Sequence, residues 1–227
     1  LDSFDPDSWE YFPFHVSELE EWLESIQLEP DEQGLQLVRQ RLGDLTDRLE
    51  VVSKLSLANA MIDRQNRGNS PAMDYAMVSV GVVKALEVEM GALFRLFRDY
   101  AVVTPQPAGN DSENDQILTK FLKGGKAPAL GSMRHLLKTT DAGLQLEWTD
   151  YLDSIEGGRE LRTSRFRGFL QKSCDRYRNG GAHDRPIALQ TAEACVQDML
   201  GSTATPGWLS KVIQVKVRAT ELAQAKG

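Results

Sequence analysis

The stretch ELRTSRFRGFLQKSCDRYRNGGAHDRP, residues 160–186, reads as one helix, a break and the start of another helix. Apolar residues recur at three- and four-residue spacing, so 160–178 is expected to be a continuous helix. Gly180-Gly181 ends it and Pro186 opens the next. Across the break lies Arg178-Asn179-Gly180-Gly181-Ala182-His183. Four residues thereby separate a permanent cation from the one side chain that handles protons near neutral pH. The glycine pair permits a tight turn, which brings Arg178 and His183 to one corner.

Outward from this break the same periodicity holds, and no alternating strand run of useful length occurs. The expected fold class is all-α. Residues 1–16 are irregular and aromatic, with Phe4, Trp9, Tyr11, Phe12 and Phe14 set around Pro6 and Pro13. Ser17 with Glu20 forms a capping box for a short helix over 17–28. A long amphipathic helix is expected over 31–64, carried by Leu35, Val38, Leu42, Leu45, Leu49, Val52 and Leu55. Ser70 is expected to cap the next helix, with Pro71 at its first position, running to Tyr100. A Pro/Gly/Asn/Asp loop covers 104–114, and shorter helices are expected near 130–138 and 145–156. Gly124-Gly125-Lys126 lacks the spacing of a phosphate loop and follows no strand. Pro186 begins a helix carrying Leu189, Ala192, Cys195, Val196, Met199 and Leu200, and a C-terminal amphipathic helix covers 208–225. The organisation expected is an N-terminal aromatic segment and helical extension, 1–66, packed on a helical domain, 67–227.

The chain has 227 residues and a net charge of −7, with pI ≈ 5.1, which argues against a surface coated in positive charge for duplex binding. Cys174 and Cys195 are the only cysteines. No CxxC is present, so a disulfide framework and a cysteine-rich zinc site are excluded, and the thiols read as reduced ones in a cytoplasmic protein. No run approaches the roughly 18 apolar residues of a membrane span. Leu1 in place of an initiator Met leaves room for a preceding sensor domain or a partner protein.

Charge is nonetheless concentrated. Residues 159–185 hold Arg159, Arg162, Arg165, Arg167, Lys172, Arg176, Arg178 and Arg185 against Glu160, Asp175 and Asp184. Eight positive and three negative charges leave +5 there, hence −12 on the rest of the chain. Such polarisation draws an anion to one place. His183 can act as general base or acid, Arg178 can grip a phosphate through two parallel hydrogen bonds, and Asn179 can orient His183 or a ribose hydroxyl. Arg176 and Tyr177 can stack on a base, and Arg185 adds a further cation. RNA carries its own nucleophile, the 2′-OH. Cleaving it requires removal of that proton, neutralisation of the phosphorane and protonation of the leaving oxygen, with no metal or other cofactor. One His and one Arg are few for two proton transfers, so a homodimer with the corner at its interface is expected.

Arg178-Asn179-x-x-x-His183 between two helices resembles the RxxxxH motif of the HEPN superfamily (higher eukaryotes and prokaryotes nucleotide-binding domains). The helix around Val83-Lys84-Ala85-Leu86-Glu87 is similar to the early HEPN helix that often carries an acidic residue facing the site. Leu130-Gly131-Ser132-Met133 is similar to the Leu-Gly-Ser turn of several HEPN families, and Thr191-Ala192-Glu193-Ala194 to the lead into the last core helix. The resemblance covers roughly residues 70–202. It implies a HEPN-like helical bundle, with N-terminal helices and a C-terminal helix added, and homodimerisation. It also implies metal-independent cleavage of single-stranded RNA, in toxin, abortive-infection or CRISPR-associated antiviral defence. Carried over by position, Arg178 is the phosphate-binding cation, Asn179 the polar residue after it and His183 the catalytic histidine. Glu87 supports them, with Glu89 as the other candidate for that place. Some members of the superfamily are inactive, and the competing expectation is a HEPN-like dimerisation or protein-binding module. A third is a toxin modified near the motif, with Tyr177 as the target.

Overall fold

Helices form in this chain where a hydrophobic stripe meets a cap, and four of the expected boundaries move where another cap or a packing contact intervenes. A computed structural model describes residues 29–100, 113–136, 142–178, 186–202 and 204–226. Among the described residues the chain is all helical, with one isolated bridge between Gly201 and Pro206. The aromatic segment 1–16, the helix expected over 17–28 and most of the 104–114 loop lie outside the described residues.

Helix α1, Glu32–Leu42, is capped by Asp31, whose carboxylate accepts the Gly34 N–H at 2.9 Å. The single helix expected over 31–64 is in fact two. Gly43 takes φ 58°, a left-handed conformation open to glycine, and its N–H closes on the Arg39 carbonyl. A 3₁₀ turn, Gly43–Arg48, then leads to α2, Val51–Arg67. The leucine stripe survives the break because the turn keeps Leu45 and Leu49 against the same core. Helix α3, Ala76–Tyr100, starts later than Ser70-Pro71 suggests. Tyr75 is buried and donates its phenol to the carbonyls of Gly68 and Ser70, which holds 70–75 as a turn. Asp74 then caps α3, accepting the Ala76 N–H at 3.0 Å.

Helix α3 is buried on nearly every side and forms the axis of the bundle. Helix α2 packs between α1 and α3 at close range. A methyl group placed on Gly34 would lie 2.7 Å from the Ala58 carbonyl, and one on Gly81 2.9 Å from that of Ser56. Gly34→Ala and Gly81→Ala are therefore each expected to cost about 1–3 kcal/mol, despite the better helix propensity of alanine. A thermal melt checks this: either variant melting at or above the parent temperature would show that the helices can separate freely.

Helices α4, Glu113–Leu122, α5, Leu130–Leu136, and α6, Ala142–Asp153, follow. Gly124 and Gly125 serve as the C-terminal cap of α4, donating to Phe121 and Lys120 carbonyls. The continuous helix expected over 160–178 is resolved into three pieces. A 3₁₀ turn, Gly158–Arg162, ends at Thr163, whose hydroxyl caps α7, Ser164–Lys172; a π-helical turn, Ser173–Arg178, completes the run. Helix α8, Leu189–Leu200, begins three residues after Pro186. Helix α9, Trp208–Lys226, closes the chain.

One hydrophobic core runs from Val38 on α1 to Ala219 on α9. Phe94 stacks on Trp148 at 4.7 Å, with Phe97, Phe121 and Tyr151 around them. Phe166, Phe169 and Trp208 form a second aromatic group joining α7 to α9. No described helix is long and apolar enough to cross a membrane.

Candidate active site

The carboxylate of Glu87 lies inside the bundle, with its side chain 5% exposed. One of its oxygens accepts the backbone N–H of Leu130 at 3.2 Å. That N–H belongs to the first turn of α5, where helix geometry leaves donors without partners. The other oxygen faces the Arg178 guanidinium at 4.0 Å. Three segments far apart in sequence, α3, the Leu130-Gly131-Ser132-Met133 turn and the end of the π turn, therefore meet at one carboxylate. Glu89, two residues on and about 200° round the helix, serves elsewhere: it accepts the Glu50 N–H at 2.8 Å and pairs with Lys216 at 2.6 Å. Of the two glutamates, Glu87 is the one beside Arg178.

The π turn sets which residues of the basic run face inwards. Its extra residue offsets the following side chains by about 100°. Tyr177 turns into the core, Arg176 is exposed and Arg178 is half-exposed. The Tyr177 phenol donates to Asp198 on α8 at 2.7 Å, and Lys172 reaches the same carboxylate oxygen at 2.6 Å. The ammonium of Lys172 also sits 5.3 Å from the Tyr177 ring centre. This corrects the reading of Tyr177 as a base-stacking or modifiable residue. Its ring is fully buried and its hydroxyl is engaged, so it pins the turn to α8 and offers no open face.

Asn179, His183 and Arg185 lie outside the described residues. The chain is held again beyond them. The Ile187 N–H donates to Asp74 at 2.7 Å, and the Tyr75 N–H to the Ile187 carbonyl. The described chain is thus anchored on either side of residues 179–185, at Asp198 before them and at Asp74 after them.

Much of the basic run is engaged within the chain. Arg159 and Arg162 both approach Asp153 at 3.4 Å. Arg165 lies over the Trp208 ring, and Glu160 is taken by Lys211. Arg176 remains exposed. Cys174, one turn before Arg178, is buried, as is Cys195.

Asp198 and Asp74 are contributors absent from the sequence reading, which named Lys172 only as a cation of the basic run and Leu130 only as part of a turn. Asp74 was detectable as an N-cap residue two positions before a hydrophobic helix. Asp198 carried no local signal, since its partners sit 21 and 26 residues away.

Burial pushes the Tyr177 phenol up from 10.0 to about 12, with Lys172 opposing the rise and Asp198 adding to it. Burial, assisted by Asp198, raises the Cys195 thiol from 9.0 to about 12. The Asp198 hydrogen bond also raises Lys172. All three groups keep their protons longer in the folded chain than in the unfolded one. Their contribution is complete below about pH 9 and is lost as pH rises towards 12, because the unfolded chain then binds fewer protons. The urea midpoint is expected to fall over that interval, and Tyr177→Phe to flatten the fall. A midpoint constant from pH 9 to 12 would contradict the burial of this network.

The chain matches no protein-family model, and no curated protein or solved structure is significantly similar to it.

Proposed function

We propose that this chain is a metal-independent endoribonuclease that cleaves single-stranded RNA, acting as a homodimer in the cytoplasm and serving as an effector or toxin in prokaryotic antiviral defence. The observation that carries the reading is the meeting of Arg178 with the buried Glu87 carboxylate, itself tied to the Leu130 amide. An arginine held at the rim of the bundle by a buried acid has a defined direction. It also directly precedes Asn179 in the chain and stands five positions before His183.

In the proposed step His183 takes the proton from the 2′-OH, and the freed oxygen attacks the adjacent phosphorus. The bond from phosphorus to the 5′ oxygen breaks, and that oxygen takes a proton from a general acid, the second His183 of the dimer. The products are a 2′,3′-cyclic phosphate and a 5′-hydroxyl. Arg178 offsets the negative charge that builds on the phosphorane.

The test is incubation of the purified chain with a mixed RNA pool in EDTA, beside His183→Ala. Cleavage by the parent alone, with cyclic phosphate ends, supports the reading. The second reading, a dimerisation or protein-binding module without activity, draws on the engagement of Arg159, Arg162 and Lys172 by acids of their own chain. Absence of cleavage by either protein would favour it.

A further inference from the structure

A cavity of about 560 Å³ lies between the 3₁₀ turn Gly43–Arg48, the C-terminal half of α3 and α9. That volume suits a small-molecule ligand. One lining residue, Lys216, is only 8% exposed; it donates to Glu50 and to the Arg48 carbonyl and pairs with Glu89 at 2.6 Å, so its charge is already met within the chain. The acids of its wall are each met by a cation. Asp47 pairs with Arg39 at 2.9 Å, Glu221 with Arg218 at 2.9 Å, Asp99 with Arg98 at 3.6 Å and Glu50 with Lys216 at 2.7 Å. Two lining cations remain, Arg48 and Arg95, and neither has an ion pair among the described residues. In a chain of net charge −7 these are the two lining guanidiniums not already shared with a carboxylate.

We propose that this cavity binds a small organic phosphate, separately from the candidate active site. Two guanidinium forks supply paired N–H donors suited to the oxygens of a doubly charged phosphate group. Ala92, Leu96 and Val217 provide an apolar wall for the organic body. The exposed carboxylates Asp47, Asp99 and Glu221, each beside its own cation, leave no continuous positive track at the mouth for a long polyanion, while a compact dianion needs only the two guanidiniums. The cavity therefore favours a small phosphate ester over a nucleic-acid strand.

Calorimetric titration of the full chain with phenyl phosphate, and with inorganic phosphate as the head group alone, tests this at low salt. Phenyl phosphate is expected to bind saturably and more tightly than inorganic phosphate. Arg95→Met should weaken it roughly tenfold and Arg48→Met about threefold, the loss of charge-assisted hydrogen bonds. Glu221→Gln should tighten it, a gain that an unfolded variant cannot mimic. Lys123→Met, on an exposed cation outside the cavity, and Arg178→Met should bind like the parent. No saturable binding, or equal binding by Arg48→Met, Arg95→Met and the parent, overturns the proposal. So does loss of binding in Arg178→Met alone, or tighter binding of an RNA oligonucleotide through Arg48 and Arg95.

Discussion

Alanine at Arg178 is expected to lower RNA cleavage by about 10²–10³, the usual cost of removing one electrostatic contact to a transition state. Of Arg178, Asn179 and His183, only Arg178 is among the described residues, and its surroundings argue for orientation rather than burial. Its side chain is 42% exposed, and 4.0 Å separates it from Glu87, so the pair is too loose and too wet to matter much for folding. Arg178→Ala should therefore melt within a few degrees of the parent while losing activity. Arg178→Lys should recover only part of it, because an ammonium cannot offer two parallel N–H groups. Glu87→Gln keeps an acceptor for the Leu130 amide but removes the charge that directs Arg178. It should cost less than Arg178→Ala and leave substrate affinity nearly unchanged. His183→Ala should cost about 10²–10⁴, the range for a general acid or base. Full cleavage by Arg178→Ala in an otherwise active protein would mean that the phosphate is held elsewhere.

The largest expected loss of stability is at Lys216. Its ammonium is 2.6 Å from Glu89, 2.7 Å from Glu50 and 2.9 Å from the Arg48 carbonyl, and Glu89 is fully buried. Lys216→Met would leave a buried carboxylate without its counter-charge, at a cost of about 3–5 kcal/mol. Urea denaturation of Lys216→Met measures it directly. Adding Glu89→Gln should restore much of the loss, since the amide oxygen can still accept the Glu50 N–H while the stranded charge is gone. If the double variant is no more stable than the single one, the packing of the lysine stem outweighs the ion pair.

How far the fold was legible depends on the range of the forces involved. The stripe from Leu35 to Leu55 marked a helical face without showing the interruption at Gly43, because a 3₁₀ turn carries Leu45 and Leu49 to the same core. The run 160–178 likewise announced helix but concealed both Thr163, a cap, and the π turn, which packing selects by drawing Tyr177 onto Asp198. Ser70-Pro71 had the local signature of a helix start, and the burial of Tyr75 overruled it. The candidate site divides the same way. Arg178, Asn179 and His183 stood out through their spacing, and Glu87 through its place on an early helix. That Glu87 rather than Glu89 meets Arg178, and that Tyr177 is unavailable to a base, followed only from the rotation of α3 and of the π turn.

The sequence by itself determined that this chain is helical, that its charge is gathered between residues 159 and 185, and where Arg178 and His183 stand in the chain. These follow from periodicity, capping chemistry and charge, which act over a few residues. The tertiary structure alone decided which acid faces Arg178 and which aromatic ring is lost to the core, and it left Arg48 and Arg95 together around one cavity. Each of those outcomes joins residues from different helices. It is set by how the bundle packs around α3, a balance of burial and paired charge that no local stretch encodes.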